Sequence, residues 1–276
     1  MKNVLITGCS SGIGLRAVEM LSERGYNVVA SVRKEQDKQA LEQRGFQVVL
    51  LDLADENSIE QAFSEVLSRF EGRLDGLFNN AAYGQPGAVE DLSRLAMREQ
   101  FETNVFGTQQ LTNLAIAHMR EQGYGRIIYN SSVLGIIALA YRGAYNASKY
   151  AIEGLADTLR LELHGSGIFI SLIEPGPISS QFRANAFAKY QQHIHRDSSA
   201  HRDVYAATEA RLQKPGPAAP FTLPADAVVN KCLHALEARK PKIRYYVTFP
   251  TYLFATLKRF LPHRALDWVL RKVSDT

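Results

Sequence analysis

Short apolar, β-branched runs alternate along the chain with longer stretches whose apolar positions recur at three- and four-residue spacing. The first pattern predicts strands and the second amphipathic helices. Val4 to Thr7 is the first strand, followed by a glycine-rich turn and a helix over about Gly14 to Arg24, with Gly25 as its C-cap candidate. Tyr26 to Val32, Val48 to Leu51 and Gly76 to Asn79 predict the next three strands. Arg126 to Ser131 and Ile168 to Ile173 predict the fifth and sixth. The helical runs between them suit crossover connections between parallel strands. The strands lack polar alternation, as a sheet covered on both faces requires. The pattern predicts a doubly wound α/β fold with a parallel sheet, in one domain over residues 1–276.

The regularity fails after Pro175. Residues 178–222 are polar, contain Pro215, Gly216, Pro217 and Pro220, and show no sustained period. Their place after a strand end predicts a mobile lid over a binding crevice, separating a core of residues 1–177 from an extension over 223–276. Helical spacing resumes over Leu223 to Glu237. It returns at Leu253, Phe254, Leu257, Phe260 and Leu261, stops at Pro262, and continues at Leu266, Val269, Leu270 and Val273.

With 46% hydrophobic and 22% charged residues, the composition excludes a disordered or fibrous chain. Lys plus Arg is 32 and Asp plus Glu is 28, a formal +4. Residues 241–276 hold seven of the cations and two of the acids, so the remainder carries 25 positive against 26 negative charges. The basic excess is small and no nucleic-acid module is present, so no nucleic-acid partner is expected. Two cysteines, Cys9 and Cys232, are too few for a disulfide framework or a zinc knuckle, and predict reduced thiols. The first strand starts at once, leaving no signal-peptide pattern, and no apolar run reaches the roughly 18 residues of a membrane span. The expected compartment is the cytoplasm.

Thr7-Gly8-Cys9-Ser10-Ser11-Gly12-Ile13-Gly14 lies between the first strand and the first helix. Glycines there permit a tight turn and close backbone approach to a pyrophosphate, while the helix N-terminus supplies unpaired N–H groups. Strand before and helix after favour a dinucleotide site of Rossmann type over a merely structural turn. The second strand ends Ala30-Ser31-Val32-Arg33-Lys34, without the acid that would hold a ribose 2′-OH. A guanidinium at that place forms charge-assisted bonds with a 2′-phosphate, so Arg33, with Ser10 nearby, points to NADP(H) rather than to a solvated surface cation. Asp52, after the third strand, either accepts from an adenine amino group or caps the following turn.

Tyr145 and Lys149 sit at i and i+4 on one face of a predicted helix. A neighbouring ammonium, together with a bound nicotinamide cation, is expected to lower the phenol pKa. Ser132, at the end of the fifth strand, presents its hydroxyl to the same crevice.

Thr7–Gly14, Asn79-Asn80-Ala81, Asn104, Ser132, Tyr145, Lys149 and Pro175-Gly176-Pro177-Ile178 together resemble the short-chain dehydrogenase/reductase family over about residues 2–178. Within it the chain resembles the 17β-hydroxysteroid-dehydrogenase/retinol-dehydrogenase-like group and is similar to bacterial NADP-dependent aldehyde reductases. The resemblance implies that Ser132 polarises the substrate oxygen and Tyr145 donates or accepts the proton. It implies that Lys149 bridges the cofactor ribose and Tyr145, and that Asn104 holds a water in a proton relay. The implied cofactor contacts are Gly8, Ser10, Ser11, Gly12, Ile13, Gly14, Arg33, Asp52, Leu53, Asn80, Ala81, Tyr145, Lys149, Pro175, Gly176 and Ile178. A departure is Ala82, where the family usually has glycine. A dimer or tetramer packed through helices near 93–121 and 145–164 is implied as well.

His193, His195 and His201 fall within nine residues, but with no matching Cys or carboxylate spacing they read as part of a solvated lid, and no metal site is expected. Cys9 reads as a small residue packed behind the turn, with oxidant sensitivity as its other reading. Tyr245, Tyr246, Phe249, Tyr252, Phe254, Phe260 and Trp268 interleave with basic residues, so residues 250–273 either close the apolar end of a pocket or touch a membrane surface. The expected activity is NADPH-dependent reduction of a hydrophobic aldehyde or ketone. A hydroxysteroid- or retinol-type dehydrogenase and a nucleotide-sensing protein without turnover are the alternatives.

Overall fold

The structure, a computed structural model, describes residues 1–217 and 219–274. Residues 218, 275 and 276, at which the lid and extension read from the sequence extend further, lie outside the described residues. In chain order the elements are β1 (Asn3–Ile6), α1 (Gly12–Glu23), β2 (Asn27–Val32), α2 (Glu35–Glu42), β3 (Gln47–Leu50), α3 (Glu56–Arg69), β4 (Gly76–Asn79), α4 (Arg94–Phe101), α5 (Thr108–Gln122), β5 (Gly125–Asn130), α6 (Gly143–Glu162) and β6 (Ile168–Glu174). They continue with α7 (Phe182–His193), α8 (Arg202–Gln213), α9 (Asp226–Glu237), β7 (Arg244–Tyr246), α10 (Phe249–Phe260) and α11 (His263–Ser274).

The strands form one parallel sheet in the order β3-β2-β1-β4-β5-β6-β7. Successive residues of a strand point to opposite faces, and here both faces are dry. Val4 and Ile6 pack against α1 and α9 with Ala17, Leu21, Val228 and Leu233. Leu5 between them joins Ile59, Val66, Leu111 and Ile152 of α3, α5 and α6 on the other face. This two-sided burial is why the strands read as unbroken apolar runs. The order reverses between β1 and β4, and their C-terminal ends open the crevice in which such sheets bind ligands.

Helix ends follow local chemistry. The Asp55 carboxylate caps α3 by accepting from the N–H groups of Asn57 and Ser58, at 2.9 and 3.2 Å. Gly25 follows α1 in the left-handed region, with φ +79°, as its cap position predicts.

Three sequence expectations are corrected. Residues 178–222 are not without regular structure: they carry α7 and α8, joined by Ala186, Tyr190, Tyr205 and Leu212 in a small core of their own. Each helix buries only two or three side chains, so no apolar stripe marks them in the sequence. A seventh strand, β7, is three residues long and also escaped notice. It takes Tyr245 into the main core beside α9, not into an interfacial segment. Of the three histidines His195 is exposed as expected, but the His193 side chain is buried with its Nε2 3.1 Å from the Glu99 carboxylate, and His201 pairs with Glu90. Among the described residues no cluster of His, Cys, Asp and Glu is arranged to hold a metal ion. No described helix is long and apolar enough to cross a membrane.

Candidate active site

The glycine turn joins β1 to α1 at the switch point. Gly8 has φ +70°, and a Cβ there would lie 2.8 Å from Ala81 Cα. A Cβ on Gly14 would stand 2.2 Å from Gly8 O and 2.7 Å from Asn80 Nδ2, so only glycine lets α1 start this close to the turn. Ser11, at the N-cap, makes no capping bond with its side chain. The first N–H groups of α1 therefore face the crevice without a side-chain partner, in contrast to α3 and α4, capped by Asp55 and Ser93. Ser10 is exposed, Ser11, Gly12 and Ile13 are half-buried, and Cys9 is fully buried behind them, where desolvation pushes its thiol up to about 12. Cys9 is thus packed behind the turn, the first of its two readings.

Around the crevice the implied contacts fall into place unevenly. Thr7 Oγ1 accepts from the N–H groups of Asn80 and Ala81, both at 2.9 Å, and Asn80 Nδ2 donates to Thr7 O at 2.9 Å. Ala82 is not among the described non-glycine residues with positive φ, so its methyl group costs no backbone strain. Arg33 is exposed just past β2. Asp52 Oδ1 accepts from Ala54 N at 3.0 Å, the turn-capping role among its two readings, and Leu53 is buried beside it. Past β6, Pro175 O accepts from Val133 N at 2.9 Å, Gly176 packs on Thr248, and Ile178 pairs with Leu223.

α6 brings Tyr145 and Lys149 to this crevice. Lys149 Nζ is 5.6 Å from the Tyr145 ring centroid and donates to Asn130 O at 2.7 Å. Ser132 is buried beside Tyr145 and accepts from Leu134 N at 3.1 Å. Desolvation pushes the phenol up to about 12, opposed by the nearby Ser132, and pushes the buried ammonium of Lys149 down to about 8, opposed by Glu153. In the protein itself burial is the largest influence on the phenol.

Asn104 lies in a six-residue π-helical segment, Glu102–Gly107, between α4 and α5. Its amide donates to Tyr83 O at 2.9 Å and Ser148 Oγ at 3.1 Å, and its Oδ1 accepts from Tyr83 N at 3.1 Å. The side chain thus ties the loop after β4 to α6, and its donors are already engaged.

Several site residues escaped the sequence reading. Asn130 accepts from Lys149 and donates its amide to Asn80 Oδ1 at 2.9 Å, a link visible only once β4 and β5 lie side by side. Phe182, the first residue of α7, meets the Tyr145 ring edge-on with centroids 5.2 Å apart. Behind Lys149, Arg244 of β7 bridges Glu153 and Asp157 of α6 and Glu174 of β6, while Ser131 donates to Glu153. Each of these partners is remote in sequence and carries no local motif.

An open helix N-terminus at a sheet's switch point, with a serine, tyrosine and lysine converging beside it, defines an oxidoreductase of the dinucleotide-binding class. The profile of the short chain dehydrogenase family matches residues 2–191, and the chain belongs to that family, whose members bind nicotinamide cofactors. It is 43% identical over 270 residues to the uncharacterized oxidoreductase YbbO of Escherichia coli (strain K12), covering 98% of this chain and 94% of that protein. It is 31% identical to an NADPH-dependent 3-dehydrocapnine reductase of Ornithobacterium rhinotracheale, covering 99% of this chain and 97% of that one. Human retinol dehydrogenase 8 is 37% identical over 198 residues, covering 68% of this chain and 62% of the human protein, so the chain has retinol-dehydrogenase-like relatives. Among solved structures, a short chain dehydrogenase/reductase of Burkholderia phymatum in complex with NAD is 25% identical, with TM-score 0.78, covering 97% of this chain and 95% of that one.

Proposed function

We propose that this chain is an NADP(H)-dependent carbonyl reductase acting on a hydrophobic aldehyde or ketone. The observation that carries the reading is the convergence of Ser132, Tyr145 and Lys149, the tyrosine ring 5.6 Å from the lysine Nζ and the lysine held by Asn130. The residues present fit a nicotinamide dinucleotide: α1 offers uncapped N–H groups for phosphates, and Lys149 spends one N–H on Asn130 O, leaving donors for ribose hydroxyls. Arg33, exposed where an NAD site would hold an acid, favours the 2′-phosphate form, as does the likeness to an NADPH-dependent reductase.

When bound, the nicotinamide supplies the hydride that reaches the carbonyl carbon. Ser132 donates a hydrogen bond to the substrate oxygen and Tyr145 donates the proton to it. A phenol is protonated at neutral pH and can donate in the reductive direction. Lys149 orients the ribose and lends positive charge beside Tyr145, and Asn104 positions the loop carrying Tyr83 and holds the water of the proton relay. Gly8, Ser10, Ser11, Gly12, Ile13, Gly14, Asn80 and Ala81 line the phosphate and ribose side, while Asp52, Leu53, Pro175, Gly176 and Ile178 flank it. Phe182 and the loop at Leu134 and Ile137 form an apolar wall beside Tyr145, which favours an apolar substrate.

Exposed Leu95, Phe106 and Leu161 support assembly through the surfaces near 93–121 and 145–164, and the buried free cysteines suit the reducing cytoplasm. Purified protein assayed with NADPH and NADH against a panel of aliphatic and aromatic aldehydes and ketones tests the function. Turnover with NADPH is expected; bound NADPH without turnover on any member overturns the reading in favour of a nucleotide-sensing protein.

A further inference from the structure

The last two helices leave apolar surface that the rest of the fold does not cover. α10 turns Thr251 and Phe254 inward, where Phe254 packs with Leu134 and Ile137. Its opposite face carries Phe249, Tyr252, Leu253, Thr256 and Phe260, at i, i+3, i+4, i+7 and i+11. Phe249 is 56%, Tyr252 51% and Phe260 74% exposed. Phe221, from the loop before α9, sets its ring 5.0 Å from that of Phe249 and is itself exposed, so the stripe continues past the helix.

α11 repeats the arrangement with charge. It buries Leu266 and sets Val269 and Leu270 against the same inner cluster. Trp268, 56% exposed, stands on the outer face among Arg264, Arg271 and Lys272, which precede it by four and follow it by three and four positions. Lys272 Nζ lies 4.0 Å from the Trp268 ring centroid. Arg259 completes four outward cations over residues 249–274, against Asp267 as the one acid, whereas Lys258 turns inward to Ile136 O and Tyr150.

We infer that the α10–α11 face docks reversibly on an anionic lipid surface, its exposed aromatic rings entering the headgroup layer and its cations pairing with lipid phosphates. Aromatic rings and long basic side chains suit that boundary, where one end of each group is dry and the other wet. A second copy of this chain is a poor occupant, because a two-fold interface brings a patch against itself and would oppose four cations to four. The two helices are too short to span, so the contact is peripheral. Their inner sides pack beside Tyr145, so on the proposed function the lipid surface adjoins the substrate side; the docking itself does not depend on that function.

Trp268 is the one tryptophan of the chain, so its emission reports on this face alone. The full chain is mixed with vesicles of phosphatidylcholine alone, or of phosphatidylcholine and phosphatidylglycerol in equal parts, and followed by cosedimentation and Trp268 fluorescence. Expected are sedimentation and a blue shift with the anionic vesicles only, both weakened by salt. Phe249→Ser with Phe260→Ser should lose both while keeping the native circular dichroism spectrum and NADPH binding. Absence of sedimentation with anionic vesicles overturns the inference, and so does equal binding to both vesicle types. A concentration-dependent blue shift without lipid, with a dimer that the same double variant dissolves, overturns it and assigns the face to a second copy.

Discussion

Lys149 Nζ donates a 2.7 Å hydrogen bond to the backbone carbonyl of Asn130, tying α6 to the last residue of β5. The Asn130 side chain donates in turn to Asn80, whose amide donates to the carbonyls of Thr7 and Gly8. One run of hydrogen bonds therefore connects the buried lysine to the glycine turn. Proton-transfer groups and phosphate-binding groups are held in one register, which is what positioning for hydride transfer demands.

Tyr145→Phe removes the hydroxyl that meets Ser132 but keeps the ring against Phe182. Loss of a general acid is expected to lower kcat by roughly 10²–10⁴-fold. NADPH affinity, read by quenching or transfer of nucleotide fluorescence, should be unchanged. Near-full activity in this variant would remove Tyr145 from the chemistry.

Arg33→Ala tests the cofactor choice. A charge-assisted contact is worth about 1.5–3 kcal/mol, roughly ten- to a hundredfold in Kd. NADPH should weaken by that factor and NADH hardly at all. Equal weakening of both nucleotides would show that Arg33 does not read the 2′-phosphate.

Gly14→Ala places a methyl carbon 2.2 Å from Gly8 O and 2.7 Å from Asn80 Nδ2. Backbone has to shift to admit it, at a cost of about 1–3 kcal/mol. Urea unfolding should show the loss of stability, and nucleotide binding should weaken with it because the turn itself moves. An unchanged midpoint and unchanged binding would contradict the close packing.

Burial and the nearby Glu153 push Glu174 up from 4.5 to about 8, although Arg244 opposes the rise. The folded protein therefore keeps a proton that the unfolded chain releases above about pH 4.5. The stability associated with this proton is complete below that pH and is lost as the pH rises through about 8. Glu174→Gln keeps the neutral form, so the fall between pH 5 and 8 should flatten in urea titrations. Lys149 acts in the opposite sense: lowered from 10.5 to about 8, it is neutral in the fold and charged in the unfolded chain between those values, so stability rises with pH there. Lys149→Met should abolish that rise. Identical pH profiles in the variants and the parent would place the titrations elsewhere.

The sheet and its two-faced burial were legible because a parallel strand covered on both sides has to be an apolar run. The glycine turn was legible because φ near +70° at Gly8 and the crowding at Gly14 admit no other residue. Tyr145 and Lys149 needed only helical spacing. By contrast α7 and α8 bury few side chains, and the three-residue β7 is shorter than any periodicity can register.

The sequence alone thus determined the local matters: strand and helix order, the open helix N-terminus, and the shared face of Tyr145 and Lys149. Tertiary structure alone decided which remote groups meet. It placed Asn130 under Lys149, Phe182 on Tyr145, Arg244 among Glu153, Asp157 and Glu174, and His193 beside Glu99. It also buried the phenol of Tyr145, which desolvation pushes upward. Periodicity reports how a segment meets its own surroundings, whereas desolvation and long-range contacts arise only when segments far apart in the chain are brought together.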